Sequence, residues 1–513
     1  MKSYVGVDVG TSGCRVVAYA EDRRVLAEAT REYPVLTPAP GWAEQDPEAV
    51  LAALLSALGE VLAHPALEGD APRAVGLANA MHSLVALDGE GNLLSNAIIW
   101  ADLRAAEDAA RLKAEGLADA FYRRTGCPVH PMYLPAKVRW LMAQAPFAPA
   151  VRRVATLKDY LIWRLTGRWA LDHSSASATG LLNLETLAWD EAVLQAVGLA
   201  AEALPELVDP LASLSGFTTP LARAYGLPPD VPVVAGATDG TLSNLGAGVL
   251  APGQVAVMIG TSAAARATAP QPLLDPKART WCYYLLPGLW IPGGAINNGG
   301  NILQWYRDRL GAAETADARA RGLDPYAELS ARAAAVPPGS RGLVCLPFLA
   351  GERSPGWNPQ ARGVFFGLSL THGPDEVVRS LMEGVAFQLF SVFEALTELT
   401  GPPAEVRATG GFTRSRTWLQ IVADVFGVPL ALPEVAEGSA FGAAALAQLA
   451  VGDLGGLAEV AAGIRIGGTV EPRDPVTRTY RELYELYLDL YRKLGPDFAG
   501  IAGFQAGERG NTA

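Results

Sequence analysis

The chain has 513 residues, half of them apolar and 18% charged, with a formal net charge of −12. That length exceeds one ordinary core, so two large domains are expected. The acidic balance and the lack of a basic run argue against a nucleic-acid partner, and small anions must be held by local groups.

The first strand covers 4–7 and leads into Asp8-Val9-Gly10-Thr11-Ser12-Gly13-Cys14-Arg15, followed by a second strand at 16–20. Two extended runs joined by Gly-Thr-Ser-Gly read as a hairpin. Its N–H groups and hydroxyls suit an anion such as phosphate, and Asp8 beside that anion makes sense with a divalent cation between them. A plain tight turn with an exposed acid is the other reading. A third strand covers 25–32. Asp46-Pro47 then caps a helix whose apolar face is Val50, Leu51, Leu54, Leu55, Leu58, Val61 and Leu62. Short strands follow at 74–78, 84–87 and 97–100, with Met81-His82 after the first. Residues 125–135 are proline-rich and read as an ordered loop around His130. Helices fill much of 136–170. A buried strand at 231–236 ends in Ala237-Thr238-Asp239-Gly240.

The glycine-rich stretch 244–253 reads as the domain boundary, dividing the chain into 1–245, 246–495 and a tail, 496–513. Gly246-Ala247-Gly248-Val249-Leu250-Ala251 fits a dinucleotide fingerprint loosely, without the βαβ unit and acid that would support it. The strand at 255–259 then ends in Gly260-Thr261-Ser262, with Arg266 beyond. This echo of the first hairpin, half a chain away, suggests two related halves facing one cleft. Met258 stands where the first half has Asp8. Strands follow at 281–286 and 289–291. A helix begins near Asn298-Gly299-Gly300, whose N-terminus offers a second place for an anion. Helices are expected at 375–400, 415–426, 439–451 and 475–493, with a strand at 405–408 that ends in Thr409-Gly410-Gly411. Beyond Phe498 the chain is glycine-rich and expected to fray.

Asp239 follows an apolar strand, so a fixed scaffold presents its carboxylate, which suits a base taking a proton from a hydroxyl. An ordinary turn aspartate is the alternative. His82 and His130 lie in loops, either as donors to a polyol or carboxylate or as structural histidines. Gly410-Gly411 either lets a flat ring approach the backbone or makes a plain strand-to-helix turn. There is no Gly-Lys pair, hence no P-loop, and no HExxH pair among the five dispersed histidines. The four cysteines, Cys14, Cys127, Cys282 and Cys345, have no CxxC spacing, which argues against a zinc knuckle or a disulfide framework. No apolar run is long enough for a membrane span, and a strand starting at residue 3 leaves no room for a secretory leader. A cytoplasmic protein is expected.

The run from Leu346 through Gly351-Glu352-Arg353-Ser354-Pro355-Gly356-Trp357-Asn358-Pro359 to Gly367-Leu368 resembles the C-terminal signature of the FGGY carbohydrate kinases. The likeness extends from Val5 to about Ala450. It implies an α/β protein with two actin-like (ribonuclease-H-like) domains around a central cleft, using ATP and Mg²⁺. By resemblance Asp239 is the catalytic base. Asp8 handles the metal, with Asp239 as the second acid at it. Thr11 and Ser12 face the terminal phosphate, and Gly260 and Thr261 the others. Gly300, Gln304, Gly410, Gly411 and Ser415 line the nucleotide pocket. Met81, His82, Trp100, Asp102, His130 and Asp239 meet the substrate. Met81-His82-Ser83, Ile99-Trp100-Ala101-Asp102, His130-Pro131-Met132, Asp239-Gly240 and Asn297-Asn298-Gly299-Gly300 resemble the gluconokinase branch, which implies phosphorylation of the terminal hydroxyl of gluconate. Another FGGY kinase of a pentose or polyol, such as a xylulokinase, is the neighbouring alternative. A non-enzymatic actin-like ATP switch is the alternative of a different class. The implied partners are a sugar or sugar acid and ATP, with a homodimer open, and His82 or His130 as candidates for the substrate carboxylate.

Overall fold

The computed structural model describes residues 2–67, 71–434 and 438–510. Strands β1 (Ser3–Val9), β2 (Gly13–Ala20) and β3 (Val25–Glu32) form an antiparallel meander. β4 (Val75–Asn79) and β5 (Val233–Thr238) add to β1 in parallel, giving the order β5-β4-β1-β2-β3. Val5, Val7 and Val9 of β1 pack in one core cluster with Leu54 and Leu58 of helix α1 (Pro47–Leu62). Asp46 caps that helix by accepting from the Glu48 N–H, as its Asp-Pro start predicts. Helix α2 (Leu157–Thr166) joins the same cluster through Leu157, Leu161 and Leu165. Helix α3 (Asp239–Gly246) follows β5 directly.

The second sheet repeats the plan. β6 (Gln254–Ile259), β7 (Ala263–Ala267) and β9 (Leu289–Ile296) form the meander, and β8 (Trp281–Leu286) extends it at one edge. β10 (Glu405–Thr409) and β11 (Leu430–Pro433) run parallel to β6, and β12 (Ile466–Val470) closes the other edge. Its helices are α4 (Gly300–Trp305), α5 (Pro374–Thr400), α6 (Arg416–Phe426), α7 (Gly438–Ala450) and α8 (Asp474–Gly510). Stripped of β8 and β12, the order β9-β7-β6-β10-β11 matches the first sheet. The echo seen in the sequence is therefore an echo of topology. The two hairpin turns differ by one residue. Gly10 N–H bonds Gly13 C=O at 2.9 Å around Thr11-Ser12, whereas Gly260 N–H bonds Ser262 C=O at 2.9 Å around Thr261 alone.

Helix α7 crosses between the halves. It comes late in the chain but lies on the first sheet, where Ala440, Ala443 and Ala444 cluster with Tyr4, Val17 and Ala78. The approach is so close that a Cβ on Gly6 would fall 1.9 Å from the Ala440 carbonyl oxygen, and one on Gly76 would fall 2.1 Å from that of Ala443. With α1 on one face and α7 on the other, β1 is buried on both sides, hence its nearly continuous apolar sequence.

Two expectations need correction. The glycine-rich end does not fray after Phe498: α8 continues to Gly510, because Phe498 packs against Phe348 and Tyr491 and Arg362 Nε donates to Gln505 Oε1 at 2.7 Å. Tertiary packing outweighs low helix propensity there; residues 511–513 of the expected tail lie outside the described residues. The N-terminus of α4 is not open to an anion either. Gly300 N–H donates to Gly260 C=O at 2.7 Å, Asn301 N–H to Thr261 C=O at 3.1 Å, and Gly299 N–H to Asn301 Oδ1 at 2.8 Å.

Candidate active site

Asp8, Met81-His82 and Asp239 sit at the carboxyl ends of β1, β4 and β5, three adjacent parallel strands. Open α/β sheets bind ligands at that edge. The hairpin 8–15 stands beside them, and its carbonyls are held from behind. Tyr33 OH donates to Gly10 C=O at 2.8 Å, Gln45 Nε2 to Thr11 C=O at 2.7 Å, and Tyr33 N–H to Ser12 C=O at 3.1 Å. Among the described residues no backbone carbonyl accepts from the Thr11 or Ser12 N–H. A turn with its acceptors tied down and its donors open is built for an anion.

Part of the Asp239 residue faces the cleft, yet protein surrounds its carboxylate. Burial, and then the nearby charge of Asp8, push its pKa up to about 7, against the pull of Arg266 and of the Gly240 N–H, which donates to Oδ1 at 2.7 Å. Lys158 fixes the strand end behind it, donating from Nζ to Ala237 C=O at 2.9 Å while paired with Asp172 at 2.6 Å. Burial likewise raises Asp8, and Ser439 at the start of α7 donates to its Oδ2 at 2.6 Å.

A buried cluster built by both halves lies next to these acids: a Cβ on Gly240, the neighbour of Asp239, would fall 3.0 Å from Met81 Cε. Met132 and Tyr133 from the first half cluster with Trp281, Tyr283 and Trp357 from the second, and Met81 and Trp100 pack against them. Trp100 Nε1 donates to Thr11 Oγ1 at 2.9 Å, tying the cluster to the first hairpin. His82 has φ 68°, a left-handed backbone that is strained for a non-glycine residue. It is held there: buried Lys137 donates from Nζ to the carbonyls of His82 at 2.5 Å, Ile99 at 2.8 Å and Ile98 at 3.3 Å. Burial followed by neighbouring cations drives both His82 and His130 well below the ordinary histidine pKa, so both rings are neutral. His82 Nδ1 lies 2.9 Å from Ala178 C=O and therefore carries the proton. His130 Nδ1 accepts from Met132 N–H at 3.2 Å, which leaves Nε2–H as a buried donor without a protein partner.

The expected nucleotide residues gather at the matching edge of the second sheet. Gly410 has φ 95°, and a Cβ there would fall 2.6 Å from the Ile259 carbonyl oxygen, so glycine is required beside the second hairpin. Gly300 is hydrogen-bonded to Gly260, and Gln304 is exposed on α4. Ser415 Oγ accepts from Trp418 N–H at 3.1 Å as the cap of α6. Asp102 has another task. Its two oxygens accept from Ala43 N–H at 2.6 Å and from Arg104 at 2.8 and 2.9 Å, so it braces the chain between Ala43 and Arg104.

Several residues near the site carried no role in the sequence reading: Arg266, Arg353, Lys137, Lys158 and Ser439. A signal existed for Arg266, a lone cation among small apolar residues in Ala263-Ala264-Ala265-Arg266-Ala267. A cation buried without need is costly, so such a residue has work to do.

Family models describing the N-terminal and C-terminal domains of the FGGY family of carbohydrate kinases match residues 3–246 and 255–451. The chain belongs to that family. A gluconokinase of Bacillus licheniformis is 37% identical over 98% of this chain and 99% of its own. A gluconate kinase structure from Lactobacillus acidophilus superposes with a TM-score of 0.90 at 31% identity, covering 98% of this chain and 99% of its own. A ligand-bound xylulose kinase structure from the same organism gives the same TM-score, 0.90, and identity, 31%, over 98% of this chain and 100% of its own. This FGGY protein is thus a two-domain α/β carbohydrate kinase using Mg²⁺-ATP, and the non-enzymatic switch reading falls away. The fold alone does not separate the sugars; the side chains must.

Proposed function

We propose that this kinase transfers the terminal phosphoryl group of ATP to the terminal hydroxyl of D-gluconate, giving 6-phosphogluconate. The observation that carries the reading is a buried carboxylate, Asp239, with a pKa near 7, between a phosphate-type hairpin and a pocket of unpartnered cationic and neutral donors. The likeness to gluconokinases supports the same substrate.

In this reading Asp239 accepts the hydroxyl proton as the oxygen attacks phosphorus. Thr11 and Ser12 orient the phosphoryl that moves, and Gly260 and Thr261 the phosphates left behind. Gly300, Gln304, Gly410, Gly411 and Ser415 border the nucleotide, and Met81, His82, Trp100 and His130 line the sugar. The charge of Asp8 raises the proton affinity of Asp239, a conflict that a divalent cation held by the two acids would relieve. Among the described residues no group of three or more His, Cys, Asp or Glu could hold a metal ion. That fits Mg²⁺, which takes one or two carboxylates and fills its shell from phosphate and water. When bound, Mg²⁺ neutralises charge on the transferring phosphates.

A homodimer and a cytoplasmic location belong to the same proposal. Exposed Phe366, Leu368 and Leu370 support an apolar contact. Four free buried cysteines support a reducing compartment. No helix among the described residues is long and apolar enough to cross a membrane.

The deciding experiment is a coupled ADP assay over gluconate, xylulose, ribulose, glycerol and related acids. Gluconate should give the highest kcat/KM. A higher value for xylulose or another neutral sugar would overturn the substrate assignment while leaving the family intact.

A further inference from the structure

Two buried guanidinium groups in the sugar pocket lack any counter-charge in contact. Arg266 on β7 and Arg353 in the signature loop are 6% and 8% exposed. Among the described residues neither forms an ion pair with a carboxylate, and Arg266 Nη1 and Arg353 Nε have no hydrogen-bond partner. The Arg266 charge acts on Arg353, and Asp239 acts on both. Buried cations without an ion-pair partner are unfavourable unless an anion joins them.

The surrounding groups narrow what that anion is. The buried cation Lys137 is spent on three carbonyls, and both pocket histidines are neutral. Asp8 and Asp239 are engaged with one another in the metal reading. The Arg353 guanidinium lies over the Trp100 ring, 4.8 Å from its centroid, which fixes its plane without neutralising it. Two further unpartnered buried donors, Trp281 Nε1 and His130 Nε2, belong to residues packed around Trp357. Trp281 Nε1 would be 3.2 Å, and Arg266 Cγ 3.1 Å, from a Cβ on Gly293, so the indole N–H stands next to Arg266. A neutral sugar satisfies donors but leaves both positive charges uncompensated.

We propose that Arg266 and Arg353 together form the subsite that takes the substrate's carboxylate and so selects a sugar acid over a neutral sugar. This rests on the sugar-acid reading above and replaces His82 and His130 as the carboxylate's partners. The same two cations could instead serve the transferred phosphoryl group, and the test separates these sources.

The probe is gluconamide, which differs from gluconate only at the carboxyl end. The quantity to read is the ratio of kcat/KM for gluconate to that for gluconamide, in the wild type and in Arg266→Gln and Arg353→Gln. The ratio is internal to each variant, so a smaller folded fraction cancels. The wild type should prefer gluconate, and each variant should lose about 10²–10³-fold of that preference, mostly through KM. Rescue of gluconate turnover in either variant by added guanidinium would support the subsite further. If both substrates fall equally and the ratio holds in either variant, that arginine serves the phosphoryl group or the fold, and the paired subsite is overturned. If the wild type ignores gluconate altogether, the substrate reading fails first and takes this inference with it.

Discussion

At the scale of single residues, Asp239 decides most. Asp239→Asn should lower kcat by about 10²–10⁴-fold, the usual contribution of a general base, with nucleotide binding retained; near wild-type turnover would remove the assignment. The pKa near 7 also predicts a pH profile. Gluconate kcat/KM should fall below pH 7 as Asp239 takes up its proton, and a profile flat from pH 5.5 to 8 would contradict this. Stability should run the other way. The folded pKa is raised above the ordinary 3.8, so the stability contribution is fully present below about pH 4 and is lost as pH rises through 7. Asp239→Asn should therefore melt higher than the wild type at pH 8, with the difference vanishing near pH 4. Thermal melts at the two pH values check it. Asp239 and Asp8 were legible because they end apolar strands. The weight of Arg353 was not, because a cation beside Glu352 in a turn-rich stretch looks alike whether it reaches solvent, an acid partner or a ligand.

At the scale of elements, the two hairpins and the strands beside them carry the logic of the site. In each half the loop after the strand parallel to the hairpin strand faces the cleft. Met81-His82 occupy it in the first half, and Gly410-Gly411 in the second. In the proposed reading, similar scaffolding presents side chains to the sugar on one side and bare backbone to the nucleotide on the other. Helix α7 is the element whose place no local pattern announced. The sequence marks a helix at 439–451, but its partner strands β1 and β4 lie more than 350 residues earlier, reached through Gly6 and Gly76. Gly76→Ala should cost about 1–3 kcal/mol or more by overpacking this contact. It should also weaken the Asp8–Ser439 hydrogen bond, because Ser439 rides on α7. Denaturant unfolding alongside a Mg²⁺ titration reads both effects, and an unchanged midpoint would show that the sheet gives way freely.

At the scale of the whole molecule, the proposed sugar site draws on both halves. Tyr283, Arg266 and Arg353 come from the second, and Met81, His82, Trp100 and Asp239 from the first. Binding both substrates should therefore draw the halves together and exclude water from the phosphoryl transfer. Small-angle scattering should show a smaller radius of gyration with gluconate and a non-hydrolysable ATP analogue than with either alone. The same data give the mass, and a monomer throughout would remove the homodimer proposal.

The sequence by itself determined the strand–turn–strand hairpins, the acids at strand ends, the internal echo and the family signature, because each is local and follows from spacing and turn chemistry. Tertiary structure alone decided the rest. It spent the α4 N-terminus on the second hairpin and turned Asp102 from a ligand candidate into a brace. It carried α8 through its glycines and buried two distant arginines without an ion-pair partner among the described residues. Those outcomes depend on which groups are left unpaired after packing, and unpaired groups exist only once the chain has folded.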